Sequence, residues 1–140
     1  MPEGNVFLPR MGHSSDCLSA AAATGAGTAL RVSEDNVVSF QIGTDGGGDA
    51  ALTVLFQMSN QNVEPDWDSA QSVTNHWTYI NTIDMFDGDP KTGAEGFVVA
   101  SADGFKDYEV NVGGMKWVNA IVTARTEGEV TVKITPFKAM

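Results

Sequence analysis

A chain of 140 residues with 42% apolar and 19% charged side chains is sized and balanced for one globular domain. Its formal net charge of −10 repels phosphate, which argues against nonspecific nucleic-acid binding, and no stretch reaches the roughly 20 apolar residues of a membrane-spanning helix. Cys17 is the one cysteine, so an internal disulfide is excluded and folding in a reducing compartment is expected.

Met1-Pro2-Glu3-Gly4 lacks the basic and apolar regions of a secretion signal, so a product made in the cytoplasm is expected. Residues 1–12 read as an extended arm carrying Val6, Phe7 and Leu8, and Ser14–Gly27 as a small-residue segment, strand in part. The domain division is then an arm and small-residue segment over 1–28 and a β-domain over 29–140. From Thr28 the period is two. Leu30 and Val32 alternate with Ala29 and Arg31, and Val38, Phe40 and Ile42 alternate with Ser39 and Gln41. Gly46-Gly47-Gly48 marks a turn into Ala50–Ser59, which sets Leu52, Val54, Phe56 and Met58 on one face and Thr53, Leu55 and Gln57 on the other; this reads as a hairpin.

Asn60–Asn75 is a long polar connection with Pro65 and several turn-forming Asx residues. Trp77–Phe86 reads as one strand, Asp87–Gly96 as a loop and Phe97–Ser101 as a short strand. The C-terminal third reads as an antiparallel meander of Tyr108–Val112, Lys116–Arg125 and Glu129–Thr135, with Gly113-Gly114 and Gly128 at the turns. Evenly spaced short strands with no long helical pattern predict an all-β protein, a two-sheet antiparallel β-sandwich of jelly-roll type with an extended N-terminal arm.

The order of Ala29-Leu30-Arg31-Val32, Val38–Ile42, a glycine turn, Leu52–Ser59, a Trp-containing loop, Gly104-Phe105 with Tyr108 and Val110, Lys116-Trp117-Val118, Val122-Thr123-Ala124 and Gly128–Val132 resembles small β-sandwich virion proteins of tailed bacteriophages. The resemblance covers residues 28–137 and consists of strand and turn patterns. Asn119 stands where such proteins often have Arg after Lys-Trp-Val, and Ile121 where a second polar residue is common. The resemblance implies a structural virion protein made in the host cytoplasm. A capsid decoration or cement protein is expected first, a tail or baseplate accessory component second. The implied partners are other virion proteins, the major capsid protein among them, and copies of the chain itself as a homo-oligomer such as a trimer, with no nucleic acid and no membrane.

Candidate site residues follow from pattern. If Val118, Ala120, Val122 and Ala124 face inward, Trp117, Asn119, Ile121, Thr123 and Arg125 face outward. An outward Trp and Ile point either to a subunit or capsid contact made by Trp117, Ile121 and Arg125, together with Val6, Phe7 and Leu8 of the arm, or to cover by the same chain. Trp67 and Trp77, with Tyr79 and nearby Asp and Asn residues, offer the alternative of a ligand-stacking platform in a carbohydrate-binding module of a tail or baseplate appendage. Glu64-x-Asp66-x-Asp68 and Asp84-x-x-Asp87-Gly88-Asp89 are carboxylate-rich but lack the closing Glu of a calcium loop. His13 and His76 stand apart, and no zinc cluster, nucleophile elbow or phosphate loop is present. No cofactor, metal or catalytic residue is expected, and a binding protein rather than an enzyme.

Overall fold

The computed structural model describes residues 14–32, 37–45, 51–85, 88, 90–91, 97–100, 106–112 and 115–137. The arm residues Val6, Phe7 and Leu8, the 46–48 and 113–114 glycines, His13, Asp87 and Asp89 lie outside these. The described strands are β1 (Ser15–Ala21), β2 (Gly25–Ala26), β3 (Leu30–Arg31), β4 (Val37–Asp45), β5 (Ala51–Ser59), β6 (Thr78–Tyr79), β7 (Thr82–Asp84), β8 (Pro90–Lys91), β9 (Phe97–Ala100), β10 (Lys106–Asn111), β11 (Trp117–Glu127) and β12 (Glu129–Phe137).

They form a two-sheet antiparallel β-sandwich. The first sheet runs β1-β12-β4-β10-β7-β8. The second runs β2-β11-β5-β6, with β3 also paired to β11 and β9 also paired to β5. The alternation read from the sequence decides which side chains meet between the sheets. Val38, Phe40 and Ile42 of β4, Val130, Val132 and Ile134 of β12, Leu52, Val54 and Phe56 of β5, and Val118, Ala120 and Val122 of β11 are all buried. Burying each such aliphatic or aromatic side chain contributes about 1.5–3 kcal/mol. At the centre Phe40 stacks on Phe56 across the interlayer space, ring centroids 3.9 Å apart, and Tyr108 leans against Phe56 at 6.0 Å.

The strand partners differ from those expected. The expected meander is not one: β10 pairs with β4 and β7, β11 with β5, β2 and β3, and β12 with β1 and β4. The expected hairpin between β4 and β5 is likewise a crossing from one sheet to the other. Gly128, at φ 91, turns the chain between layers and not between neighbours in a sheet. Two strands that each have one apolar face can bury those faces by opposing each other across the core, and alternation alone does not separate this from pairing side by side. Trp77–Phe86 is also split. β6 belongs to the second sheet and β7 to the first, with buried Ile80 at the crossing.

The segment 14–27, assigned with the arm from its composition, belongs to the sandwich instead. β1 pairs with β12 along Ser15–Ala21, and its register shifts between Asp16 and Leu18. This bulge lets two successive side chains, Cys17 and Leu18, both enter the core. Gly25–Ala26 then pairs with Val122 and Ile121 in the other sheet, so the chain closes one edge of the sandwich. Ala124 departs from the expected inward face for a similar reason: a register shift between Val122 and Ala124 leaves it exposed.

The edge closure depends on Gly27. Its N–H donates to Ala120 O at 2.9 Å, and the Thr28 N–H donates to Cys17 O at 2.8 Å. A Cβ at residue 27 would lie 2.3 Å from the Cys17 carbonyl oxygen and 2.7 Å from its sulfur. Gly27→Ala should therefore push β1 off the edge and cost roughly 1–3 kcal/mol or more in denaturant unfolding. An unchanged midpoint would show that β1 does not need this close approach.

Candidate functional site

The outer face of the second sheet carries Leu55, Gln57 and Ser59 from β5 opposite Ile121, Asn119 and Trp117 from β11. This is the face expected to offer Trp117 and Ile121 to a partner. Residues 60–76 lie over it. Trp67 and Trp77 are only 5% and 7% exposed, and Gln57 and Asn119 beneath are fully enclosed. The stacking platform expected of Trp67 and Trp77 is thus not presented to solvent, because the loop turns both rings against the protein.

The loop is held by its own polar groups. The Trp67 indole N–H donates to Glu64 Oε1 at 3.0 Å, and that of Trp77 to Ser69 O at 3.1 Å. Trp77 also meets Tyr79 edge-on at 4.9 Å. Asn75 acts as a clip: its Oδ1 accepts from Asp66 N–H at 2.6 Å, and its Nδ2 donates to Asp66 O at 3.0 Å and Ala70 O at 3.1 Å. Ser59 Oγ donates to His76 O, tying the two ends of the loop as in an Ω-loop. Asp66 accepts from Ser69 Oγ and from the Asp68 N–H; the Ser69 bond is the larger cause holding its carboxyl below the ordinary value of 3.8. Asp68 Oδ1 reaches the far edge of the sheet and accepts from Ala26 N–H at 2.9 Å.

Under the loop runs a continuous buried polar chain. The Cys17 thiol lies 3.2 Å from Asn119 Oδ1 and accepts the Ala120 N–H at 3.2 Å. Asn119 Nδ2 donates to Gln57 Oε1 at 3.0 Å, and Gln57 Nε2 donates to Trp67 O at 3.2 Å. Each link satisfies a group that would otherwise be orphaned away from water.

Trp117 and Ile121 are half-buried. The Trp117 indole donates to Gln61 O at 3.1 Å, and the Arg31 guanidinium sits 5.2 Å from its ring centroid. Lys116 Nζ reaches Asn62 Oδ1 at the start of the same loop. Arg125 is exposed, but its Nε is committed to Gly128 O at 2.9 Å. The structure therefore joins Trp117 to the loop and leaves Arg125 apart at the turn into β12. Glu64 and Asp66 serve indole and backbone donors within the loop, and Asp68 serves the Ala26 N–H of β2. Among the described residues no set of three or more His, Cys, Asp or Glu side chains converges to hold a metal ion.

On the first sheet, Val37, Asn81, Ile83, Met85, Glu109 and Val110 line a groove of about 520 Å³. Ile83 and Met85 are 51% and 53% exposed. Pattern reading missed this surface because it placed Ile83 in one long strand with Trp77, whereas β7 is a separate strand opposite Glu109. Gln57 and Asn119 were missed as well. The available signal was an amide within each of two apolar strands, at positions that neighbour each other once β5 and β11 are paired.

No protein-family model matches the chain, and no curated protein sequence matches it. Among solved structures, the fold is similar to the crystal structure of YomS, a protein derived from the SPBc2 prophage. The TM-score is 0.68 at 15% sequence identity, covering 94% of this chain and 96% of that one. At that identity the likeness establishes a shared fold.

Two expectations test the buried chain. Asn119→Ala removes the acceptor for Cys17 and the donor to Gln57, and should cost about 1–3 kcal/mol. Combined with Gln57→Ala it should cost less than the sum, because the second change removes a group the first has already orphaned. Additive losses in urea unfolding would show that the amides act separately. For Cys17, burial pushes the thiol from 9.0 up to about 12, partly offset by the Ala120 N–H. The raised value means the fold favours the protonated thiol. Its stabilising contribution is whole below pH 9.0 and is lost as pH rises from there toward about 12. At pH 8 the native thiol should alkylate ~1000-fold more slowly than the unfolded one, and fast native labelling would contradict the burial.

Proposed function

We propose that this chain is a structural protein of a bacteriophage particle, working by adhesion to neighbouring subunits and not by catalysis. Capsid decoration or cementing is the specific role, with the chain acting as a homo-oligomer bound to the major capsid protein. The observation that carries this reading is the near-complete mutual coverage with a prophage-derived protein of the same fold. The motif order over residues 28–137 points the same way. The chemistry of the described surface supports it: the carboxylates of the covering loop bind indole and backbone donors of the protein itself, and large apolar side chains stand exposed at Val63 and Val73 of the loop and at Ile83 and Met85 of the first sheet. The glycan-binding alternative loses its main support, since Trp67 and Trp77 are enclosed.

The test is to purify particles from the cells that make this protein and quantify the chain by mass spectrometry. Many copies per particle, comparable in number to the major capsid protein, are expected; a handful would place it in the tail. Absence from purified particles would refute a structural virion role.

A further inference from the structure

We propose that copies of this chain bind one another head to tail: Arg31, Lys116 and Trp117 on the second sheet of one copy seat on Asp107, Glu109, Ile83 and Met85 on the first sheet of the next. The inference rests on the homo-oligomer part of the reading above and deepens it. It does not require the virion role.

One half of the contact is a pair of cations. A chain of net charge −10 offers its cations many carboxylates, and Lys133 takes one, holding Asp16 at 2.8 Å. Arg31 and Lys116 do not. Among the described residues Arg31 has the Trp117 ring, 5.2 Å from its Cζ, and Lys116 has the neutral Asn62 Oδ1. Strand pairing brings the three residues together: Arg31 stands opposite Trp117, and the Val32 N–H donates to Lys116 O at 2.9 Å. Trp117 alternates with buried Val118, so Trp117 and Arg31 share the outer face of the second sheet. Val63 follows Asn62 in the loop and is 79% exposed, which adds apolar area beside them.

The other half is a pair of carboxylates. Asp107 and Glu109 alternate with buried Tyr108 on β10, so both belong to the outer face of the first sheet. Glu109 stands opposite Ile83, and the Met85 N–H donates to Asp107 O at 2.9 Å, which sets Met85 beside Asp107. Two acids are thus flanked by two exposed apolar side chains. Among the described residues neither carboxylate has a hydrogen-bond or ion-pair partner.

The two sets cannot meet within one molecule. They lie on the outer faces of different layers, and packed sheets alone stand about 10 Å apart before the outward side chains are counted. Between copies they match. Two cations without a carboxylate meet two carboxylates without a cation, while Trp117 and Val63 meet Ile83 and Met85. A guanidinium stacked on an indole keeps its N–H groups for a carboxylate and lends apolar area, a combination enriched at interface anchors. A foreign acidic partner would satisfy Arg31 and Lys116 and leave Asp107 and Glu109 as they are; a second copy satisfies both sets. Because each copy carries one set on each outer face, the contact joins unlike surfaces and builds a row or a ring in place of a two-fold dimer.

Sedimentation velocity of the purified protein reads the association. The parent should associate as its concentration rises, and less so in added salt. Arg31→Glu/Lys116→Glu and Asp107→Lys/Glu109→Lys should each weaken association about tenfold or more, with circular dichroism unchanged. An equal mixture of the two variants should associate again, since each keeps the set the other has lost. A parent that stays monomeric, variants that associate as the parent does, or a mixture that stays apart would each overturn the proposal. A second readout leaves the sequence intact. In a mixture of isotope-labelled and unlabelled parent protein, a carbodiimide should join Lys116 to Asp107 or Glu109 in peptides that combine the two labels. Linkage of Lys116 only to other carboxylates would overturn the contact. Association indifferent to these charges would leave an oligomer without this contact, and the particle measurement decides the virion role separately.

Discussion

The structure depends on a short run of buried amides. Asn119 and Gln57 sit side by side on paired strands, fully enclosed, and each can be satisfied only if its neighbours are in place. Cys17 must be brought over from the first sheet to meet Asn119, and the carbonyl of Trp67 must come down from the loop to meet Gln57. An amide left without a partner in that position costs about 1–3 kcal/mol, a sizeable part of a small domain's total stability. The edge closure at Gly27 and the loop over 60–76 are therefore two ends of one arrangement. Disturbing either end exposes or orphans the polar chain between them.

This explains why the long connection after β5 is not a free loop. A stretch of that length without strand or helix is uncommon in a compact domain unless it binds something. Here it binds the sheet from which it departs. Its three tethers reach three strands of that sheet: Gln61 accepts from Trp117 of β11, Trp67 accepts from Gln57 of β5, and Asp68 accepts from Ala26 of β2. The second sheet is consequently packed on the first sheet inside and partly covered by its own loop outside, with Thr123 and Arg125 left exposed.

Much of the fold was legible from alternation, because a period of two fixes which side chains share a face whatever the neighbouring strand. Phe40, Phe56, Val132 and Val118 were placed inside on that ground, and they are buried. Pairing was not legible. The same pattern suits a hairpin and a crossing between layers, and a turn glycine such as Gly128 serves both. Bulges escaped for a different reason. Inserting one residue in β1 brings both Cys17 and Leu18 inward, and the shift before Ala124 turns it outward, yet neither change leaves a mark in composition. At the candidate site, Trp117 and Ile121 were recognised as too apolar for an exposed face. What covers part of that face could not be read from β11 itself, since the answer lies more than forty residues earlier, in Trp67, Gln61 and Asn75.

The two outer faces end up differently covered. A sandwich with both outer faces solvated offers no preferred side for contact. The loop covers part of one outer face and itself exposes Val63 and Val73, while the opposite sheet exposes Ile83 and Met85. What holds the loop against its sheet is the run of buried amides, because Gln57 reaches the Trp67 carbonyl only while Asn119 occupies its other end.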